Sequence, residues 1–323
     1  MRQCASLTRV RTRRYYDGVD TSHPSDARTS ARATAPRASA TPTRAVEAAG
    51  GVDGIHVKAL ASGSSGNALL VRAGPVAVLI DAGLPGRQLA ALLRAHGVLP
   101  GDLAAILVSH EHSDHVAGAA TLSRLYGAPI VANSATLSSL KLSARVTTQT
   151  LPTGATQRFG GLAVGTFAVP HDARDPVGFN LEYEGWHMCH LTDVGYDAPE
   201  LEPHIAAADL IVLEANHDVE TLRSSAYPWP LKNRILGRGG HLSNDQTARL
   251  LERSLRRVPR RRRWLWLAHL SQENNTPRKA RDQVGLRLDL AQCIADVSID
   301  VARRDVPSAS WYSALLARQQ ALF

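Results

Sequence analysis

The stretch ILVSHEHSDHVAG, residues 106–118, places three histidines and an aspartate within six positions, directly after an apolar run. Those six positions contain no lysine or arginine, which is unusual for an exposed polar loop. In an extended segment, residues two apart point the same way, so His110 and His112 can bind one ion. Asp114 and His115 follow at the turn into a helix and can bind a second ion. The cluster therefore predicts a metal site at the end of a buried strand.

Two ions need more ligands than this cluster supplies, because each must hold about four groups and leave room for water. Three further candidates lie at predicted strand ends: His171 in FAVPHDA, Asp193 in HLTDVG and His269 in LWLAHLS. Each of them alone is typical of a satisfied polar residue. Together they complete two nitrogen-and-oxygen sites joined by one carboxylate, which can span two cations about 3.5 to 4 Å apart.

Strand-rich segments alternate with amphipathic helices from residue 55 onward. The patterns predict buried strands at VAVLIDAG and LAAILVS, helices at PGRQLAALLRAHG, HVAGAATLSRLYG and SNDQTARLLERSLRRV, and a loop-rich connection between ADLIVLEAN and the last of these helices. Ser113 or Asp114 is a candidate N-cap for the helix after the cluster. Every ligand-type residue ends a strand, and this favours two sheets packed face to face with helices outside over a doubly wound parallel sheet.

The N-terminal 51 residues differ in composition from the rest. They contain nine arginines against four acidic residues and show little apolar periodicity, so they carry a net +5 of the chain's formal +8. We therefore predict a disordered tail at residues 1–51 and a hydrolase domain at residues 52–323. An organelle transit peptide, a mis-assigned start and a plain disordered arm are all consistent with this composition.

Membrane spans and disulfides are not expected. No stretch approaches the ~18 apolar residues that cross a bilayer. The cysteines Cys4, Cys189 and Cys293 are far apart and form no CxxC pair, so neither a disulfide framework nor a thiolate zinc finger is indicated. These features predict a cytoplasmic protein.

The ordered ligand residues resemble the metallo-β-lactamase superfamily, whose signature is HxHxDH after a buried strand. Closer matches are LASGSSGN, DAGL, SHEHSDH, EANHDVETL, YPWPLKNRI, GHLSN and LAHLSQENN. They are similar to the YycJ-like branch of bacterial hydrolases with this fold, described as phosphodiesterases that act on DNA. The resemblance covers about residues 55–301 and implies an α+β fold, the four-layer αββα sandwich.

The resemblance also implies a role for each ligand. One metal takes His110, His112 and His171, the other takes Asp114, His115 and His269, and Asp193 bridges them. Asp81, which ends the strand before DAGL, is implied to support the site rather than to bind metal.

The implied chemistry is hydrolysis by a water that two divalent ions, zinc or manganese, deprotonate near neutral pH. Asp114 is then a candidate base as well as a ligand. The leaving oxygen needs a proton or a positive partner, and His241 in GGHLSNDQ is the candidate because it precedes a helix N-terminus and its context is similar to the catalytic histidine of the ribonuclease Z group. A simple helix cap is the alternative for His241. His217 in EANHD is predicted to contact substrate or to support the site.

The residue at the fourth motif and the spacing between ligands limit which hydrolysis reactions we expect. Where true β-lactamases commonly use a cysteine near the fourth motif, this chain has Asp193, which favours phosphodiester or ester hydrolysis. Only 22 positions separate His171 from Asp193, and only 76 separate Asp193 from His269. The first is too short for the tRNA-gripping arm of ribonuclease Z, and the second is too short for the inserted domain of the β-CASP nucleases. We expect a compact exonuclease acting on double-stranded DNA.

Two other functions stay open. A small-molecule esterase, lactonase or cyclic-nucleotide phosphodiesterase of this fold would have a narrow pocket and no DNA binding, and a metal-stabilised nucleic-acid-binding protein would show no turnover. The arginines at positions 256, 257 and 260–263 either follow a phosphate backbone or form a solvated surface. Trp264 and Trp266 are predicted to pack in the core, and SGSSGN is predicted to form a tight strand turn near the metals.

Overall fold

Two seven-stranded sheets form the interior of the protein. The computed structural model describes residues 52–256, 258–293 and 297–313. The predicted tail at residues 1–51 lies outside the described residues, and its boundary stays a prediction.

The first sheet is built mainly from the N-terminal half of the described chain. Its strands are β1 (Val52–Ala61), β2 (Ala68–Gly74), β3 (Val76–Ile80), β4 (Leu103–Leu107), β5 (Ile130–Ala132), β6 (Thr148–Thr150) and, from the C-terminus, β14 (Ser310–Tyr312). They lie in the order β14-β1-β2-β3-β4-β5-β6. The central pair β3 and β4 is parallel, with Ile80 opposite Leu107. The residues after both strands therefore leave the sheet at the same edge.

The second sheet follows the same plan. Its strands are β7 (Thr156–Phe159), β8 (Leu162–Ala168), β9 (Val177–Tyr183), β10 (Trp186–Leu191), β11 (Leu210–Glu214), β12 (Arg263–Ala268) and β13 (Val297–Val301). The order is β13-β12-β11-β10-β9-β8-β7. Strands β10, β11 and β12 are parallel, with Leu191 opposite Leu213 and Glu214 opposite Ala268. Their C-terminal ends also share one edge.

Helices connect the strands and cover both sheets. They are α1 (Gly86–Ala95), α2 (Ser113–Val116), α3 (Ala119–Tyr126), α4 (Ser134–Ser139), α5 (Glu202–Ala207), α6 (Val219–Ser224), α7 (Trp229–Leu236), α8 (Asn244–Leu255) and α9 (Pro277–Leu290). No helix in the described part of the chain combines the length and apolar character that a membrane crossing requires.

Three hydrophobic layers confirm the predicted αββα sandwich. Side chains such as Phe179 and Trp266 fill the space between the two sheets. The alternate residues of β12, Leu265 and Leu267, point the other way and pack with apolar side chains of α8 and α9, such as Leu251. A third cluster packs α1 and α3 on the first sheet. Because β12 is buried on both faces, it reads as a nearly continuous apolar run rather than an alternating one.

Several local predictions were wrong. The connection after β11 contains α6 and α7, although it was predicted to be loop-rich. Prolines and serines in SSAYPWPLK read as a loop, but Pro228 and Pro230 lie at the start of α7, where proline is tolerated. The N-cap of α2 is His112, with extended backbone, whereas Ser113 and Asp114 already lie in its first turn.

Candidate metal centre

The strand ends of both sheets meet at one edge, and the predicted ligands gather there. The first sheet supplies four of them after β4, and the second supplies one each after β8, β10 and β12. The side chains brought together are His110, His112, Asp114, His115, His171, Asp193 and His269. Residues separated by up to 159 positions in the sequence thus share one site.

Three imidazole nitrogens converge on the first-sheet side. His112 Nδ1 lies 3.0 Å from His110 Nε2 and 3.3 Å from His171 Nε2. His171 Nδ1 lies 3.0 Å from the carbonyl of Gly240, to which it donates, so its Nε2 carries a lone pair when the ring is neutral. Ser109 Oγ lies 3.0 Å from His110 Nδ1. Three electron-rich nitrogens that face one another suit a cation between them.

A second group forms around Asp114. His115 Nε2 and His269 Nε2 each lie 3.5 Å from Asp114 Oδ2. The other nitrogen of each ring meets a buried carboxylate: His115 Nδ1 is 2.7 Å from Asp81 Oδ2, and His269 Nδ1 is 2.8 Å from Glu214 Oε1. This carboxylate–histidine arrangement fixes the ring orientation and aims the Nε2 lone pair at the site. Asp81 thus contacts His115 from outside this group, and its supporting role stays a prediction.

Asp193 lies between the two groups. Its Oδ2 is 3.0 Å from His115 Nε2, and its Oδ1 is 3.7 Å from His171 Nε2. Asp193 Oδ2 and His269 Nε2 are buried, and among the described residues neither has a partner with the geometry of a hydrogen bond. Buried polar atoms left in this way are costly unless an ion satisfies them. The donor set therefore fits divalent cations that bind nitrogen and oxygen.

Electrostatics point the same way. Burial alone would lower the pKa of His115, but the carboxylates of Asp193 and Asp81 raise it well above its ordinary value. Burial alone would also lower the pKa of His269. The carboxylates of Asp193, Asp114 and Glu214 outweigh this effect and raise that pKa to about 10. The buried carboxylates thus stabilise positive charge on the ligand groups around Asp193 and Asp114. Cations compete with protons for such groups, so metal binding here releases protons.

The backbone at the strand ends is unusual. Asp81, Asp193 and His269 have φ values of 57°, 57° and 54°. Left-handed backbone is uncommon outside glycine, and it clusters at functional sites where the surrounding structure enforces it. Here it turns the chain sharply as each strand ends, which brings the three side chains to the same edge.

Gly83 lies where three loops approach one another closely, and this approach explains why a glycine is needed there. Gly83 N donates to Asn67 O over 2.8 Å, and Asn67 N donates to Asp114 O over 2.8 Å. A Cβ on Gly83 would lie 1.7 Å from Asp114 O. Glycine is therefore required at this position for the loop that carries Asp114 to approach.

Glu214 is a site residue that the sequence reading did not assign. It is completely buried and accepts hydrogen bonds from Val194 N (2.8 Å), Leu242 N (3.0 Å), His241 Nδ1 (2.9 Å) and His269 Nδ1 (2.8 Å). Burial would raise its pKa, but His241 and His269 lower it to about 2. Its signal in the sequence was the acidic residue that ends the apolar run IVLE, as Asp81 ends VAVLID.

Asn67 is a second unassigned residue. Its Oδ1 accepts from Gly63 N over 2.9 Å, which fixes the orientation of the amide. Its Nδ2 is then 3.4 Å from Asp114 Oδ2 and 3.1 Å from His115 Nε2. Asn67 closes the SGSSGN turn, and the structure places that turn beside the metal centre.

His241 lies between the two ligand groups. Its ring centroid is 5.2 Å from those of His171 and His269. Ser243 caps α8 in a capping box with Gln246, so the helix-cap alternative for His241 is wrong. Burial alone would lower the pKa of His241, but the neighbouring Glu214 carboxylate raises it. His241 therefore tends to hold a proton at the site.

His217 lies behind the site and not in either ligand group. It is completely buried, and within the described ranges neither ring nitrogen has a hydrogen-bond partner. Burial lowers its pKa to about 4, so the ring is neutral at physiological pH. No part of His217 is exposed for direct contact with a substrate. Of the two predicted roles, its buried position favours support of the site.

The arginine run lies away from the site. Arg263 begins β12 and His269 follows its end, so about 20 Å of strand separates them. Arg261 is ion-paired with Asp209, just before β11, at 2.8 Å. The run therefore does not line the metal centre; residue 257 lies outside the described residues. Trp266 is buried between the sheets as predicted, and Trp264 packs against the same cluster.

Comparisons with known proteins agree with this geometry. The family model described as the β-lactamase superfamily domain matches residues 77–261. The exodeoxyribonuclease WalJ of Streptococcus pneumoniae is 37% identical over 253 residues, which cover 76% of this chain and 92% of that protein. The exodeoxyribonuclease YycJ of Bacillus anthracis is 36% identical over 240 residues, 73% of this chain and 90% of that protein.

A solved structure shows the same fold at lower identity. The metallo-β-lactamase-fold protein YhfI from Bacillus subtilis superposes with a TM-score of 0.61 and 17% identity, covering 80% of this chain and 99% of the other.

Proposed function

The chain belongs to the β-lactamase superfamily and is a metal-dependent hydrolase, and from that premise we propose that it is an exodeoxyribonuclease that uses two divalent metal ions to cut double-stranded DNA. The observation that carries the proposal is the pair of ligand groups joined by Asp193, with His241 held beside them by Glu214. The relatives at 37% and 36% identity described above are named exodeoxyribonucleases, which supports a DNA substrate.

Each metal is assigned its own ligands. His110, His112 and His171 would hold one ion, Asp114, His115 and His269 the other, and Asp193 would bridge. Imidazole-rich sites suit zinc, and the carboxylates also suit manganese. When bound, two such ions supply Lewis-acid stabilisation of the phosphoryl oxygens and an activated water.

The protein's own groups complete the reaction. Glu214 accepts from His241 Nδ1, so the Nε2 of a protonated His241 has a proton to donate to the leaving oxygen. Glu214 also fixes His269, so one buried carboxylate orients the acid and a metal ligand together. Asp114 is a ligand and a candidate base for the attacking water.

Incubation of the full chain with end-labelled duplex DNA and either zinc or manganese tests the proposal. We expect nucleotides to be released progressively from one end, and we expect His112→Ala to lose both bound metal and activity. No release with either metal would refute the exonuclease assignment. Hydrolysis of small esters, lactones or cyclic nucleotides without DNA cleavage would favour the small-molecule alternative, and DNA binding without release by the metal-loaded chain would favour the non-enzymatic one.

A further inference from the structure

Residues 223–240, RSSAYPWPLKNRILGRGG, form a segment with an unusual composition next to the metal centre. It contains four basic residues and no acidic one. Helix α7 occupies its middle, and the loop at residues 237–240 leads from the helix directly to His241. We refer to residues 223–240 as the α7 segment. Arg223 and Arg234 are paired with the carboxylates of Glu220 and Asp172, and Lys232 is buried. The exposed Arg238 is then the cation of the segment that is placed to attract an anion.

The C-terminal part of the α7 segment contacts the metal centre. The Gly240 carbonyl accepts from the candidate ligand His171 over 3.0 Å. Arg234 Nε donates to Asp172 Oδ2 over 2.8 Å, beside that histidine. His241 N donates to Ile235 O over 3.0 Å. Anything bound along the segment therefore lies next to the bond to be cut.

Trp229, at the other end of α7, is largely exposed. Its side chain is 62% accessible, whereas the buried tryptophan of β12 is 1% accessible. Asn233 and Leu236 follow at i+4 and i+7 and are exposed as well, so they share one helix face with Trp229. An eight-residue helix is about 12 Å long, so Trp229 lies a few nucleotides along a strand from the site.

The buried side chain of Lys232 supports the Trp229 ring from the protein interior. It is buried, and its Nζ donates to the carbonyls of Arg223 and Ser225, both over 2.7 Å. The same ammonium lies 5.2 Å from the centre of the Trp229 ring. The helix is thus fixed to the end of α6, and the indole is exposed on an anchored support rather than on a loose loop. A fixed aromatic ring loses little entropy when a base stacks on it.

Arg238 supplies a cation between Trp229 and the site. Its guanidinium stacks on the Tyr196 ring at 3.8 Å, and in the described part of the chain no carboxylate forms an ion pair with it. The backbone at Arg238 also packs closely on Gly195, two residues after the candidate bridging ligand. A planar guanidinium held in this way can take a backbone phosphate.

We propose that the α7 segment binds the single-stranded end of the DNA strand being cut, with Trp229 stacking on an unpaired base and Arg238 contacting a backbone phosphate. This inference rests on the proposed DNA substrate. Aromatic rings interleaved with cations are the usual means of holding single strands without sequence preference. The segment would thereby direct an unpaired end into the metal centre.

Binding of a dye-labelled single-stranded oligonucleotide to the metal-free full chain, followed by fluorescence anisotropy, tests the inference. Stacking is worth about 1–3 kcal/mol per base, so Trp229→Leu is expected to weaken binding about 5- to 150-fold, whereas Trp229→Phe stays within about 3-fold of wild type. Arg238→Gln is expected to weaken binding and to make the plot of log affinity against log salt shallower by about 0.7, the value for one phosphate contact on a single strand. Leu290→Ala on α9 and Arg262→Gln at the far end of β12 are matched controls expected to bind as wild type.

Several results would overturn the inference. If Trp229→Leu and Arg238→Gln bind like the two controls, the α7 segment does not hold the strand. If Trp229→Phe weakens binding as much as Trp229→Leu, the ring does not act by stacking. If the wild-type chain degrades duplex DNA but these variants bind normally, only the role of the α7 segment is refuted. Wild-type chain that binds the strand through the segment but never degrades DNA refutes only the proposed exonuclease.

Discussion

Glu214 Oε1 lies 2.9 Å from His241 Nδ1, and the carboxylate is completely buried while the imidazole is 22% exposed. The pair places a negative charge behind the ring and leaves the opposite nitrogen free for a substrate. The same oxygen accepts from His269 at 2.8 Å. The proposed proton donor His241 and the proposed metal ligand His269 are thus coupled through a single atom.

Replacement of His241 tests the donor role. We expect His241→Ala to keep its bound metal, because His241 belongs to neither assigned ligand set, and to lower turnover on DNA at least about 100-fold through loss of general acid catalysis. Metal content by elemental analysis and single-turnover rates measure the two effects. His187→Ala, an exposed histidine of β10, is the matched control. Full activity in the His241 variant would contradict the assignment.

Replacement of Glu214 tests the shared support. Glutamine offers one acceptor oxygen and an NH₂ group to four N–H donors, so Glu214→Gln leaves buried donors unpaired. We expect a loss of about 3 kcal/mol in the free energy of unfolding and about 10- to 100-fold weaker metal binding. Chemical denaturation and zinc titration against a competing chelator measure these. Glu220→Gln, on the exposed face of α6, should change neither, and an unaffected Glu214 variant would show that the four hydrogen bonds are dispensable.

Gly83 tests the close approach of the loops. The added Cβ of Gly83→Ala would overlap Asp114 O, so the loop carrying this ligand must shift. We expect a destabilisation of about 3 kcal/mol and weaker metal binding, because overpacking also displaces the ligand. Gly101→Ala, whose Cβ would lie 3.4 Å from its nearest neighbour, is the control. Equal thermal midpoints for the two variants would argue against the tight approach.

Asp218 provides a pH-dependent contribution away from the metals. Burial alone would raise its pKa, but hydrogen bonds from Thr221, Gln283 and Lys279 hold the pKa of this carboxyl well below its usual range. A lowered pKa stabilises the fold above the unfolded pKa of about 4, and this stabilisation is lost as the pH falls. We expect Asp218→Asn to cost about 1–2 kcal/mol at pH 7, because asparagine can still cap α6, and to cost less below pH about 4.

The pH series of that variant is best measured by urea unfolding in chelator. Asp282→Asn, at an exposed pair with Arg278 on α9, should stay within about 0.5 kcal/mol of wild type at every pH. A cost for Asp218→Asn that does not change with pH would show that charge is not its origin.

Much of the fold and site follows from local sequence. Two packed sheets with helices outside were predicted because buried strands and amphipathic helices have distinct periods and the ligand-type residues end strands. The four-layer αββα fold itself was implied by the family resemblance. The metal roles of the seven ligand positions stay predictions, although their side chains converge. The cytoplasmic location also stays a prediction.

What the sequence did not reveal depends on contacts between distant segments. Glu214 looks like any acidic residue at a strand end, and only the fold brings His241 and His269 to it. The αα connection formed by α6 and α7 was missed because prolines that begin a helix resemble prolines that break one. The short strand β14 pairs with β1 across more than 250 residues, for example Lys58 with Ser310, and no local pattern indicates that pairing.

The ligands come from two different sheets, and this has a consequence for metal choice. Four of the proposed ligands are carried by the first sheet and three by the second, so the spacing between two bound ions would depend on how the sheets pack. Side chains such as Phe179 and Trp266, which fill the space between the sheets, would thus influence which ionic radius fits, although neither is a proposed metal ligand. Preference for one metal over another would then be tuned by core volume, far from any coordinating atom.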